Sequence, residues 1–340
     1  MPNQVQSSTP QLRAAVIDCG TNVFTMLIGE GTHEGWRTQL VLRQPVFIGR
    51  GGFQSRIIVP DRFARGIDAL KVFHQACKNF NVTHVKVAGT SALRDANNGQ
   101  RFAQCVRDQL DWQIEIIDGE QEAQWIHDGV ALTLPNQWSS PILIMDIGGG
   151  SVEFILSDWS TSGEWKALEK LSIDVGVGRL EEFGKPNDPL LASGEQRYHE
   201  FMDELMRPVV DVIHRYQPKA LIGSSGSFDT FVEIIDGALP AWNSKRAAEI
   251  HEIDRVKLKA VHQQLITLSL KDRLAIPGMS PVRAHLIPLS SMLVQWVLGI
   301  MPDDSKAFRS PYAMREGIMN SFWQHLCKDG AQGAGASENS

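Results

Sequence analysis

One arrangement of residues occurs twice in this chain, and it constrains the fold more than any other feature. The segment VIDCGTNVFTMLIGE (16–30) and the segment ILIMDIGGGSVEFILSD (142–158) each read as strand, Asp-x-Gly turn, strand. Asp18, Gly20, Thr21 and Asn22 in the first correspond to Asp146, Gly148, Gly149, Gly150 and Ser151 in the second. A second echo follows each. VKVAGTS ends a strand on Gly89-Thr90-Ser91, 71 residues past Asp18, and ALIGSSGS ends one on Gly223-Ser224-Ser225, 77 residues past Asp146. Two turns repeated in the same order at similar spacing point to a duplicated α/β unit, with chance recurrence of common turns as the alternative.

The remaining periodicity fits that unit. Residues 14–20, 24–30 and 36–49 read as strands, and 60–81 as a helix with Pro60 at its start. A strand from 82 runs into a polar turn ending at 95. It is followed by a helix over 101–110, a short strand over 114–118 and a helix over 120–134. PNQWSS (135–140) is a linker, after which the pattern restarts. We therefore expect an N-terminal lobe over 12–134 and a C-terminal lobe over 135–310, with a final helix at about 311–327 available to pack back on the first. The polar, Gly/Ser/Asn-rich ends 1–11 and 329–340 are expected to be disordered.

The turns suggest a chemistry. Glycine lacks a side chain, so its amide can approach an anion closely, and a helix N-terminus behind it adds about half a positive charge. Two such units facing each other would enclose a cleft with the hydroxyls of Thr21, Thr90, Ser91, Ser151, Ser224, Ser225 and Ser227 and the amide of Asn22 turned inward. The glycines Gly20, Gly148, Gly149, Gly150, Gly223 and Gly226 would bring the backbone up to phosphate. Asp18, Asp146 and Glu153 would repel that phosphate unless a hard divalent cation such as Mg²⁺ stood between. A lone Asp-x-Gly turn has a blander explanation, because both residues favour turns for local reasons. The paired occurrence favours phosphate.

Composition narrows the class. With 43% hydrophobic and 21% charged residues the chain is an ordinary globular protein, long enough for two cores. Its net charge of −6, with no dominant Lys/Arg block, argues against a nucleic-acid coat but permits a locally positive cleft. The stretch LIPLSSMLVQWVLGIM (286–301) is short for a membrane span, carries Ser290, Ser291 and Gln295, and reads as a buried helix. Four cysteines without C-x-x-C spacing, and a start without a secretion signal, lead us to expect a cytoplasmic protein with reduced thiols and no membrane association.

Eight stretches in order carry a resemblance. They are VIDCGTNVFTMLI (16–28), AGTSALRDANNGQRF (88–102), IEIIDGEQEAQWIHDGV (114–130), DIGGGSVEF (146–154), IDVGVGRLEEF (173–183), GSSGSFDTF (223–231), IPGMSPVRAHLI (276–287) and SPYAMREGI (310–318). Together the chain resembles the Ppx/GppA phosphatases, the exopolyphosphatases and guanosine pentaphosphate phosphatases. The resemblance implies a duplicated actin-like (ribonuclease H-like) two-lobed α/β fold of the actin/hexokinase/Hsp70 superfamily. It also implies Mg²⁺-dependent removal of a terminal phosphoryl group by water in an interlobe cleft. In the G-E-x-E-A motif, the general base carries over to Glu122. Metal-binding carboxylates carry over to Asp146 and Glu153, and a phosphate-binding arginine to Arg94. Without the resemblance, Glu122 is simply an acid in the first turn of a helix, where it supports that helix. The family also suggests a homodimer, and the short two-domain members fit a pattern that runs out near 328.

Two departures stand out. Val23 follows Asn22 where the family carries a hydroxyl, and His285 stands where an acid is common. Arg179 and Arg315 hold family positions; the first could approach substrate, the second could pair with a nearby acid. The leading expectation is therefore a phosphohydrolase acting on polyphosphate or guanosine pentaphosphate. The alternatives are a binding protein that senses either ligand without turnover and a kinase or ATPase of the same superfamily. Polyphosphate and guanosine pentaphosphate present the same terminal group, so the residues do not separate them.

Overall fold

The computed structural model describes residues 12–136, 138, 140–190, 192–237 and 249–336. The first lobe contains β1 (Leu12–Cys19), β2 (Val23–Thr32), β3 (Gly35–Pro45), α1 (Pro60–Asn79), β4 (His84–Gly89) and α2 (Ser91–Asp95). It continues with α3 (Gly99–Leu110), β5 (Ile114–Ile116) and α4 (Gly119–Ala131). The second lobe opens with β6 (Ile142–Ile147), β7 (Val152–Trp159), β8 (Trp165–Ile173), α5 (Val177–Gly184), α6 (Ala192–Leu205) and α7 (Arg207–Tyr216). Then come β9 (Ala220–Ser224), α8 (Ser225–Asp236), β10 (His251–Ile253), α9 (Arg255–Thr267), α10 (Leu270–Arg273), α11 (Ile287–Ile300) and β11 (Lys306–Arg309). The last helix, α12 (Met314–Ala336), runs through most of the tail expected to be disordered, while 1–11 and 337–340 lie outside the described residues.

The duplication is explicit in the sheets. One has strand order β3-β2-β1-β4-β5 and the other β10-β11-β9-β6-β7-β8. In each, an antiparallel pair (β1/β2, β6/β7) is joined by a parallel neighbour (β4, β9) whose crossover includes helices, as parallel pairing requires. The pairing repeats but its register does not: Asp18 pairs with Ala88, just before Gly89 on β4, and Asp146 with Ser224, just after Gly223 on β9. This is the duplicated α/β unit anticipated from the repeat, in the two-lobed arrangement that the resemblance implied.

Three apolar layers hold the sheets. Outside the first sheet, Phe73 and Leu70 of α1 and Phe102 and Val106 of α3 pack on Ile17 and Met26. Outside the second, Phe228, Phe231, Leu265, Met292 and Leu293 pack on Leu143 and Phe154. Between the sheets, residues of both lobes share one layer, with Ile126 and Val130 of α4 and Ile318 and Met319 of α12 lying between Val16 and Ile144. The alternating sides of a strand explain this division: Ile17 and Val16 face different layers. The expected buried helix is α11, whose Ile287–Leu298 stretch is almost wholly buried. Among the described residues no helix is long and apolar enough to cross a membrane.

Helices α4 and α12 cross closely because both carry glycine at the contact. A side chain at Gly129 would overlap the Ala313 carbonyl, and one at Gly317 the Trp125 carbonyl. Trp323 Nε1 donates to the Thr32 carbonyl at 2.9 Å and pins the later turns of α12 to β2. The crossing predicts that Gly129→Val lowers the unfolding free energy by about 1–3 kcal/mol through overpacking, measurable by urea denaturation. An unchanged denaturation midpoint would show that the helices can separate without cost.

Candidate active site

The carboxyl ends of the parallel strands β1/β4 and β6/β9 face each other, which is where open α/β sheets place ligands. The cleft between them has a volume of about 990 Å³. From the first lobe it is lined by Asp18, Gly20, Thr21, Asn22, Thr90, Ser91 and Glu122. From the second it is lined by Asp146, Gly148, Gly149, Gly150, Ser151, Glu153, Ser225, Gly226 and Ser227. Arg94, Gly223 and Ser224 stand outside this lining, and each has another partner.

Ser224, at the end of β9, turns its hydroxyl onto Asp146 Oδ2. Gly223 lies inside the strand, where the ring of Phe228 occupies the space a side chain would need. Arg94, read from sequence as a phosphate ligand, donates from Nη1 to Glu122 Oε2 at 3.0 Å and to the Ile117 carbonyl at 3.1 Å. Its position in α2 puts it beside the first turn of α4, where the single nitrogen Nη1 serves both acceptors. Ser225 opens α8 in the left-handed region (φ 72°), a strained conformation for a residue with a side chain, of a kind that clusters at functional turns.

Electrostatics give the cleft floor its character. Burial pushes Glu122 up to about 7, against the opposing pull of Arg94. Asp18 is pushed up to about 8 by burial and then by the carboxylates of Glu122 and Asp146, and its Oδ1 is buried without a hydrogen-bond partner. Asp146 is raised by burial even though Ser224 and Ser225 hydrogen-bond to it. Glu153, with the Ser172 hydroxyl donating to Oε1 at 2.9 Å, is raised well above the usual range by burial and by Glu122. Burial thus raises all four acids in one enclosed place, and the charges of Glu122 and Asp146 add to the rise of Asp18 and Glu153.

This donor set suits a hard cation. The ligands are all oxygen, mutual repulsion favours a positive charge among them, and Asp18 Oδ1 lacks any other partner. Among the described residues, no three His, Cys, Asp or Glu side chains stand close enough to cage a metal by themselves. Any cation would therefore complete its shell with water or ligand oxygens, as Mg²⁺ commonly does.

The glycines divide their duties. A side chain at Gly150 would strike the hydroxyls of Ser91 and Thr21, and one at Gly149 the amide of Asn22, so these residues allow the lobes to meet. At Gly226 the missing side chain makes room for the guanidinium of Arg283, which also donates to Thr230 Oγ1 at 3.1 Å. Arg283 and Arg43 line the far part of the cleft with Asp229, and neither arginine was picked out as a site residue from sequence. Arg43 sits in β3 with no motif around it; Arg283 gave a signal only through the segment shared with His285. That histidine hydrogen-bonds Glu181 Oε1 at 2.7 Å and does not line the cleft, whereas Val23 does. Arg315 lines the cleft and pairs with Glu316 at 2.7 Å, a nearby acid of the kind expected. Arg179 points behind the glycine turn rather than into the cleft.

With this geometry in place, the sequence pattern of the Ppx/GppA phosphatase family matches residues 41–325. The chain belongs to that family. It is 27% identical over 315 residues to a guanosine-5'-triphosphate,3'-diphosphate pyrophosphatase of Vibrio vulnificus, covering 93% of this chain and 60% of the relative. A protein of the same description from Aliivibrio fischeri is 25% identical, with 96% and 62% covered. This chain thus spans less than two thirds of the length of these curated relatives. Among solved structures, an exopolyphosphatase from Cytophaga hutchinsonii superposes with TM-score 0.84 at 29% identity, over 92% of this chain and 98% of that one. An Aquifex aeolicus member of the family superposes with TM-score 0.74 at 21% identity, over 94% and 99%, and attests the fold.

The raised acids have a consequence for stability. A carboxyl whose folded pKa exceeds its unfolded one contributes stability that is complete below the unfolded value, near 4. That stability is lost as pH rises through the folded value. For Asp18 and Glu122 the loss runs from about pH 4 to about pH 7–8. Asp18→Asn should therefore gain on the wild type progressively between pH 5 and 8 in metal-free buffer, by an amount of order several kcal/mol. Denaturation midpoints at a series of pH values check this; a gap that does not vary with pH would remove the assignment.

Proposed function

We propose that the protein is a divalent-metal-dependent phosphohydrolase that releases the terminal phosphate of inorganic polyphosphate or of guanosine pentaphosphate. The observation that carries this reading is convergence. Turns from both lobes bring amides and hydroxyls to the same cleft that holds Glu122 and three further carboxylates. The activities of the Vibrio vulnificus relative and of the Cytophaga neighbour support the same class of chemistry.

In this mechanism Asp146 and Glu153, with Asp18, would hold Mg²⁺, which supplies charge neutralisation at the phosphoryl oxygens. The amides of 148–151 and the hydroxyls of Thr21 and Ser151 orient the terminal phosphate. Glu122 accepts a proton from water as the water oxygen bonds to phosphorus, and the anhydride P–O bond breaks to leave the shortened phosphate chain. Arg94 fixes which oxygen of Glu122 remains free, since Oε2 accepts its hydrogen bond. General-base assistance contributes about 10²–10⁴-fold, so positioning and electrostatic stabilisation must supply the larger share. The environment of Glu122 accords with a base poised near neutral pH.

Two measurements test the reading. Phosphate release should be followed with polyphosphates of several lengths and with guanosine pentaphosphate, at fixed Mg²⁺. Glu122→Gln is expected to lower kcat by about 10²–10⁴-fold while ligand binding persists. Full activity in that variant removes the base, and tight binding without release in the wild type favours a sensor. ATP-dependent transfer to an acceptor would instead mark a kinase. Arg94 lowers the proton affinity of Glu122, so Arg94→Gln should move the rising limb of kcat/KM to higher pH. A limb that stays in place would detach Arg94 from the base.

A further inference from the structure

Arg179 lies on α5 of the second lobe, in a small hollow of about 340 Å³ that also involves Phe53, Asp95 and Asp174. That hollow is separate from the cleft, so the side chain does not face the proposed substrate. Its Nε donates to the Gly150 carbonyl at 2.7 Å, inside the glycine turn. Its Nη2 donates to Asp95 Oδ2, the last residue of α2 in the other lobe, and lies 3.4 Å from Asp174 Oδ1. The guanidinium also sits 4.9 Å from the centre of the Phe53 ring. The Ser91 hydroxyl donates to the same Asp95 oxygen at 3.1 Å. One carboxylate oxygen therefore joins a donor of the first lobe to the arginine that grips the turn of the second.

Resting on the proposed hydrolase reading, we propose that Arg179 is a positioning residue that staples the Gly148–Ser151 turn to α2 through Asp95. The staple fixes the spacing between the two sets of phosphate donors. Its placement matches the tightest interlobe approach, where Gly150 leaves no room for a side chain beside Ser91 and Thr21. Arginine is required because a carbonyl and a carboxylate must be held together by separate nitrogens of one planar group. Other contacts of α5 support the same docking. Glu181 pairs with Arg50 at 2.8 Å, and Glu182 accepts from the Gly51 amide at 2.6 Å. The Arg50 side chain is 46% exposed against 20% for Arg179, so water screens the outer pair more and Arg179 dominates.

The test compares Arg179→Ala, Arg179→Lys, Asp95→Asn and the Arg179→Ala/Asp95→Asn double variant with the wild type. It uses inorganic tripolyphosphate and guanosine pentaphosphate with Mg²⁺, alongside solution scattering. We expect Arg179→Ala to lose about 10²-fold in kcat with KM nearly unchanged, as small displacements of reacting groups do. Its radius of gyration should rise. Arg179→Lys, which keeps the charge but not the two-sided grip, should recover part of kcat. The double variant should be no worse than the poorer single one, because both remove the same link. Wild-type kcat in either single variant, or multiplying losses in the double, overturns the staple. So does a loss of kcat without expansion, which would place Arg179 on the substrate instead. If Arg179→Ala does not fold, the isosteric Asp95→Asn decides by the same two readouts. If the wild type cleaves neither compound, the hydrolase reading fails by itself, and the radius of gyration alone decides the staple.

Discussion

Burial of four carboxylates in one cleft is the constraint on which the site depends. Asp18, Glu122, Asp146 and Glu153 come from three strands and one helix, and each has its proton affinity raised by burial first. Among the described residues only Glu122 has an ion-pair partner, Arg94. Charge on the other three must be answered by a proton or by a cation. In the proposed reaction this makes metal and phosphate mutually dependent ligands. An anion alone meets acids, and a cation alone finds no cage of three. Together each supplies what the other lacks.

The second theme is the double use of the glycine turn. Phosphate-binding glycines are usually read as leaving room for an anion, and the amides of 148–151 do line the cleft. Gly149 and Gly150 also leave room for Asn22, Ser91 and Thr21, while Gly226 leaves room for Arg283. Close approach of the lobes and close approach of a ligand therefore place the same demand on the sequence. A change at these positions would disturb both.

Much of this was legible in the residues. The repeated Asp-x-Gly turn located both parallel strand ends, and the spacing of the second turns located their partners, since strand alternation and turn chemistry are local properties. Helix α1 starts at Pro60 as anticipated, and α11 is the buried helix that its apolar run implied. Where the reading fell short, the cause lies in distance along the chain. Arg94 and Glu122 are 28 positions apart, and only the packing of α2 beside α4 reveals that they are hydrogen-bonded. Arg43, in a strand without a motif, reaches the cleft from β3, at the edge of its sheet. Neither periodicity nor composition carries that information.

The final helix gives the architecture a mechanical property. The backbone passes from the first lobe to the second after α4, and returns after β11 so that α12 can settle against α4 and β2. Peeling α12 away would therefore undo three attachments at once: the glycine contact with α4, the indole bond to Thr32 of β2, and the apolar cover that Ile318 and Met319 give the layer between the sheets.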